Sequence, residues 1–294
     1  MTHTFGGSWT EEKLTVMRSY FAAYAQALKN QRFAKWYIDA FAGTGERKEV
    51  KRPGGRPLFG DDANEVCEAK DGSVRIALGI DPPFDRYIFI DRAQEHIEAL
   101  EALREEFPAR TIDVQTGDAN QVLKDLCRSI NWRNTRAAVF IDPYGMQVNW
   151  STLESLAATR AVDIALLYPT GPLNRMLAKR GNIPAAWARR IDDHLGPCDW
   201  RSASYKETEQ IDLFLPDSSA LKKTMNVEGL RQFVLERLKS IFPFVCERQL
   251  ELRNSRGAIL YHLFIICANP KPAARNLAMK LAGHAVSLPR ASKR

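Results

Sequence analysis

Four short apolar runs, each emptying into a polar turn, dictate most of what this chain can become. Trp36 to Phe41 leads into Ala42-Gly43-Thr44-Gly45. Arg86 to Asp91 closes on its own acid. Thr111 to Gln115 is followed by Gly117-Asp118-Ala119-Asn120, and Ala137 to Ile141 by Asp142-Pro143-Tyr144-Gly145. Helical spacing intervenes, with Ile97, Leu100, Leu103 and Phe107 on one face and a further helix running to about Ile130. After another helix, Val162 to Tyr168 reads as a fifth strand. Strands alternating with helices predict an α/β fold: a doubly wound, mostly parallel sheet with helices on both faces.

The flanks complete that sheet. Leu14, Met17, Phe21, Tyr24 and Leu28 recur every three or four residues, which predicts a helix over 10–30 with Thr10 as its N-cap, inside an N-terminal helical extension of 1–35. Residues 46–72 dissolve into charge, Pro and Gly and read as a loop insertion, after which Ser73 caps a short helix ending at Leu78. Toward the C-terminus the spacing predicts a helix over 226–241, strands over 244–253 and 258–268 joined by a turn at Asn254-Ser255-Arg256-Gly257, and a last helix from Pro272 to Leu281. The expected organisation is one domain over 1–294, with 200–294 supplying helices and an antiparallel hairpin at the sheet edge.

Composition narrows the functional classes. No apolar run approaches the roughly 20 residues of a membrane-spanning helix, and Met1 to Trp9 lacks the order of a secretion signal, so a cytoplasmic location without a membrane partner is expected. Five scattered cysteines and five histidines at non-ligand spacings predict no metal site. A net charge of +7 suits a polyanionic partner such as nucleic acid. Arg47, Lys48, Lys51, Arg52 and Arg56 crowd one segment, and Lys179, Arg180, Arg189 and Arg190 another; an ordinary solvated surface is an equal reading of both.

Ligands of such sheets lie outside the carboxyl ends of the strands. At the first turn, Gly43 and Gly45 permit positive φ and close backbone approach, with Asp39, Phe41 and Thr44 around them. Asp91, beside Arg92, is placed to accept from ribose hydroxyls. Asp118, beside Ala119, is placed to accept from an adenine amino group, a plain helix N-cap being its other use. A nicotinamide dinucleotide needs a third glycine where Lys48 stands and a helix directly after the turn, which Pro53-Gly54-Gly55 interrupts. A nucleoside without pyrophosphate fits better, and S-adenosylmethionine is the expected cofactor. Asp142, Pro143 and Tyr144 form the expected catalytic set, a carboxylate and a proline-fixed carbonyl that accept from an amine beside an aromatic ring; a simple Asp-Pro-x-Gly turn is the plainer alternative.

Together, Lys13-Leu14 through Tyr24, Tyr37 through Gly45, Phe84 through Asp91 and Phe140 through Gly145 resemble the three-Cys-motif partner proteins (TcmP), well over residues 9 to 170 and loosely beyond. The resemblance implies a class I methyltransferase-like (Rossmann-like) fold and a protein partner with a three-cysteine motif, similar to radical S-adenosylmethionine enzymes. Asp142-Pro143-Tyr144-Gly145 is also similar to the Asp-Pro-Pro-Tyr motif of nucleic-acid amino-methyltransferases, with Tyr144 in the second proline's place. The implied reaction is methylation of an amino group on an RNA or DNA base. Its rivals are a methyltransferase of a small molecule or peptide and a cofactor-binding accessory subunit without turnover.

Overall fold

The computed structural model describes residues 8–44, 72–208 and 220–291. Helix α1 (Ser8–Leu28) precedes strand β1 (Ala34–Asp39), and α2 (Ser73–Leu78) precedes β2 (Arg86–Asp91). Then follow α3 (Gln94–Glu106), β3 (Ile112–Thr116), α4 (Ala119–Ser129), β4 (Thr135–Ile141), α5 (Trp150–Ala158) and β5 (Val162–Tyr168). Beyond them lie α6 (Thr170–Met176), α7 (Ala185–Leu195), α8 (Trp200–Ser204), β6 (Tyr205–Thr208), β7 (Ala220–Lys223) and α9 (Val227–Ile241). The chain closes with β8 (Phe244–Val245), β9 (Leu250–Arg253), β10 (Ile259–Cys267) and α10 (Pro272–Ala291).

The main sheet has the order β3-β2-β1-β4-β5-β10-β8, with β9 also on β10; the first five strands are parallel and β10 runs antiparallel to its neighbours. This is the doubly wound, mostly parallel sheet expected from the alternation of elements. The strands alternate faces with period two. Along β4, Ala137, Val139 and Ile141 pack with α4, α5, α7 and α9, while Ala138 and Phe140 pack with α1, α2, α3 and α10. Every residue of β5 is buried, as burial on both faces requires.

On the α1 face a polar link crosses the apolar layer. The Tyr20 hydroxyl donates to Asp163 Oδ2 over 2.6 Å, and burial pushes the Asp163 carboxyl up to about 6. On the other face Trp150 fills the space beneath Gly196, which holds φ +69°. A Cβ on Gly196 would lie 2.2 Å from Trp150 Cδ1. Gly196→Ala is therefore expected to cost about 2–3 kcal/mol from overpacking and backbone strain together, read as a lower urea midpoint at unchanged slope. An unmoved midpoint would mean that Trp150 is free to shift.

Several expectations need correction. Helix α1 starts at Ser8, so Thr10 is not its N-cap but a fully buried residue of the first turn. Gly72, not Ser73, occupies the N-cap of α2, and no side chain caps it. The strand expected over 244–253 is two strands, β8 and β9. Between them the Gln249 amide donates to the Cys246 carbonyl over 2.6 Å, holding a short loop that breaks the pairing with β10. The last helix runs to Ala291, past Leu281. Helices α6 and α8 and the separate β6–β7 pair, 7, 5, 4 and 4 residues long, are too short to show a period, whereas α7, with Ala188, Ile191 and Leu195 at helical spacing, went unread although its pattern is in the sequence.

Candidate functional site

Strand β1 has β2 on one side and β4 on the other, so the chain reverses its direction of winding there. A doubly wound sheet opens its crevice at this switch point. The register then sets the acids as steps. Asp39 lies opposite Phe89 and Phe140, so Asp91 and Asp142 each stand two residues further toward the carboxyl end on either side of it. Asp91 in turn lies opposite Thr116, two residues short of Asp118.

Beyond β1 the backbone stays pinned to both neighbours: the Ala40 amide donates to the Phe140 carbonyl and the Ala42 amide to the Ile90 carbonyl, each over 3.0 Å. The chain then turns at Gly43, with φ +63°, a conformation glycine adopts without penalty. The Gly43 amide donates to Asp91 Oδ2 over 3.0 Å. Among the described residues other than its chain neighbours, no atom lies within 4 Å of where a Gly43 Cβ would stand. Asp91 Oδ1 accepts from the Arg92 amide over 2.7 Å and the Ala93 amide over 2.9 Å, with His96 Nδ1 3.1 Å away. A carboxylate offers about four lone-pair directions. With three taken by backbone amides, Asp91 has room for one hydroxyl rather than the ribose pair that sequence suggested. The Arg92 side chain is exposed, Thr44 and Phe41 are half-buried, and Gly45 lies outside the described residues, as does the basic segment Arg47 to Arg56.

Asp39 is fully buried. It accepts from the Ser73 hydroxyl over 2.6 Å, from the Phe41 amide over 3.2 Å and from the Tyr37 hydroxyl over 3.4 Å. Burial pushes its carboxyl up to about 7, with the negative Asp142 nearby adding to the rise and these donors opposing it. Asp39 thus organises the rim from beneath, joining the Gly43 turn to the first residue of α2.

Asp118 is exposed and caps α4, accepting from the Asn120 and Gln121 amides over 3.0 and 3.3 Å. The cap role expected of Asp in this setting is therefore filled; its neighbour Ala119 is buried as the first residue of α4. Asn120 does more than sequence suggested. Its amide donates to the Gln147 carbonyl over 2.9 Å, and its oxygen accepts from the Asn149 amide and the Thr152 hydroxyl over 2.8 and 2.9 Å. The loop after β3 thereby clamps the loop after β4. From below, Arg190 donates to Asn149 Oδ1 over 2.9 Å and His194 Nδ1 to the Val148 carbonyl over 2.7 Å. Burial pulls the His194 imidazole down to about 4, leaving a neutral ring. Arg190 is thus a structural clamp rather than part of a free basic patch, whereas Lys179, Arg180 and Arg189 are exposed.

On this clamped loop Pro143 is buried, while the Tyr144 ring is 76% exposed, the larger of two such exposed apolar side chains among the described residues. The Tyr144 amide donates to Gln147 Oε1 over 3.2 Å, and Gly145 takes φ +62°. Asp142 Oδ2 is ion-paired with Lys13 of α1, a lysine only 3% exposed. Lys13 Nζ also lies 5.0 Å from the centroid of the Trp9 ring. Trp9 in turn stacks on Tyr261 of β10, with centroids 6.1 Å apart and planes 19° from parallel. Sequence reading missed Trp9, Lys13, Ser73 and Tyr261 as site residues. One signal was present: Lys13 falls between Thr10 and Met17 in the buried stripe of α1, where a charged side chain needs a partner.

Among the described residues no group of His, Cys, Asp and Glu is arranged to hold a metal ion, and no helix is long and apolar enough to cross a membrane. No family model and no curated protein matches the chain. Solved structures do. Protein LPL1258 from Legionella pneumophila, of the family designated DUF519, is 13% identical over 95% of this chain and 92% of its own, with a TM-score of 0.49. The O-methyltransferase from Bacillus cereus in complex with SAH is 13% identical over 88% and 90%, at 0.39. The N-terminal domain of EvdMO1 with SAH bound is 14% identical over 85% and 80%, at 0.37. These likenesses are distant, and the fold assignment rests on the strand order itself.

Proposed function

We propose that the chain is an S-adenosylmethionine-dependent methyltransferase whose acceptor is an amino group on a nucleic-acid base, working with a protein that carries a three-cysteine motif. The observation that carries the reading is the Gly43 turn at the switch point, held at positive φ, tied to Asp91 and uncovered by the other described residues. The residues there suit an adenosyl group: a backbone a nucleoside can approach, one carboxylate direction for a ribose hydroxyl and, in the sequence, Lys48 where a dinucleotide turn needs its third glycine. When bound, S-adenosylmethionine supplies an electrophilic methyl group.

This chain's own contribution would be position and charge. Asp142 accepts an N–H of the acceptor and turns its lone pair toward the methyl, and the exposed Tyr144 ring offers a face for a planar base. Such catalysis rests on proximity and electrostatics, since an aromatic amine needs orientation more than deprotonation. The partner protein is proposed on the family resemblance alone.

The test is methyl transfer from labelled S-adenosylmethionine to total RNA and total DNA, with Asp142→Ala as control. Label in nucleic acid that Asp142→Ala loses, and whose uptake falls steeply with salt as phosphate contacts do, supports the reading. Label found only in small molecules or peptide would replace the acceptor. Asp91→Ala is expected to weaken S-adenosylhomocysteine binding by about 2 kcal/mol, the scale of a hydrogen bond to a charged group, measured by titration calorimetry. Equal affinity in the two proteins would move the ribose away from Asp91.

A further inference from the structure

We propose that the first turns of α1 form the acceptor subsite, in which the Lys13 amine holds Asp142 as a stand-in for the acceptor's amino group and is displaced when an acceptor binds. This rests on the methyltransferase reading above and names the chemistry of its acceptor side.

Three residues carry it. Trp9 and Lys13 are four apart and Thr10 and Lys13 three apart, so all lie on one side of α1. Lys13 brings an amine to Asp142 Oδ2, showing that this carboxylate takes an N–H donor from the α1 side. A buried ion pair is a poor source of stability, because desolvating both charges offsets most of their attraction. Its retention at the carboxyl end of β4, beside the switch point, fits use in binding. The two neighbours leave hydrogen-bonding capacity unspent. Trp9 Nε1 and Thr10 Oγ1 are shielded from solvent and have no hydrogen-bond partner, and Thr10 as a whole is fully buried. Buried donors of this kind are normally satisfied.

An occupant that used all three residues would present an amine to Asp142 and an acceptor atom to the indole N–H or the threonine hydroxyl. That is the donor–acceptor edge of an aminated heterocycle. Stacking on Tyr261 fixes the plane of Trp9, and with it the direction of its N–H. Tyr144, two residues after Asp142, is exposed. In the transfer itself the amine lone pair forms the N–C bond as the S–C bond breaks. S-adenosylhomocysteine leaves, and the surplus proton passes from nitrogen to Asp142 and on to solvent.

Truncating Lys13 should open its place to a free amine. Lys13→Ala and Lys13→Ser, incubated with S-adenosylmethionine and propylamine in alkaline buffer, are expected to form N-methylpropylamine at least tenfold faster than the native chain. Lys13→Met, which refills the space with an apolar chain, should stay at the native level. Mass spectrometry reads the product, and titration with S-adenosylhomocysteine on the same samples reads cofactor binding. Should both truncations be unfolded by circular dichroism, Trp9→Phe, which keeps the ring and removes the N–H, is measured instead; it should lower the rate on total RNA at limiting RNA and leave the rate at saturating RNA intact. Truncations that bind S-adenosylhomocysteine normally yet form no N-methylpropylamine overturn the subsite and leave the cofactor reading standing. Loss of S-adenosylhomocysteine binding in the native chain overturns both. Equal product from Lys13→Met and the truncations also overturns it, since propylamine would then react without the place that truncation vacates.

Discussion

Replacing Gly43 with valine is expected to abolish S-adenosylhomocysteine binding while leaving the unfolding transition nearly in place. The backbone at Gly43 sits at φ +63°, where an L-residue costs roughly 1–2 kcal/mol and a β-branched one more. The described residues add no steric cost to this, because outside the chain neighbours none of their atoms lies within 4 Å of the added Cβ. The fold therefore survives, but the isopropyl group projects into the space where the ligand would lie. If the turn relaxes to negative φ instead, its amide leaves Asp91 Oδ2 and the carboxylate loses the bond that fixes it to the rim. Both routes remove binding. Calorimetric titration and thermal unfolding of the same variant separate loss of site from loss of fold, and unchanged affinity would show that the turn is not part of a ligand site.

The second large effect concerns pH. Asp39 titrates near 3.8 when unfolded and at about 7 when folded. Between those values the native state keeps a proton that the unfolded chain has released, so stability falls as pH rises through the window. With 1.36 kcal/mol per pKa unit, the loss from this residue is on the order of 4 kcal/mol. Asp163, pushed up to about 6, acts in the same direction. His194 and His262 oppose both: burial pulls each down from 6.5 to about 4, so the unfolded chain holds the extra proton and stability rises with pH through that range. Glu106, Glu228 and Asp199, held below the usual carboxylate range by their hydrogen bonds, also favour the folded state as pH rises. The native profile is thus a sum of opposed contributions, and Asp39→Asn removes one of them. Measured against the native chain, it should gain on the order of 4 kcal/mol between pH 4 and pH 8 in urea unfolding, whatever its offset at pH 4. A difference between the two proteins that stays constant with pH would mean that Asp39 is ionised throughout.

What could be read from residues alone follows from which interactions are local. The runs ending at Asp39, Asp91 and Ile141 were legible because a strand covered on both faces is a near-continuous apolar run, with polar residues here confined to its first two positions and its terminal acid, and their turns carry residues with restricted geometry. Helix α2 was placed over Ser73 to Leu78, but the role of Ser73 was not legible: its hydroxyl leaves its own helix for a carboxylate 34 residues earlier in the chain. Lys13 and Asp142 are 129 residues apart, and no spacing rule joins them. Asn120 stood inside a turn that sequence reading had marked, yet its two bonds to the loop after β4 and its third to Thr152 of α5 depend on the order of strands in the sheet. The break between β8 and β9 escaped because both halves are apolar enough for one long strand; the Cys246–Gln249 loop that divides them shows only in its hydrogen bonds. Strands and turns announce themselves locally, whereas the polar contacts that assemble the rim are set by the order of the sheet.

The most direct measurement is a crystal structure of the chain grown with S-adenosylhomocysteine. Electron density for the nucleoside over Gly43, one ribose hydroxyl on Asp91 and the sulfur turned toward Asp142 is the predicted result. Density at another surface, or none at all with the space above Gly43 filled by protein side chains, would contradict it.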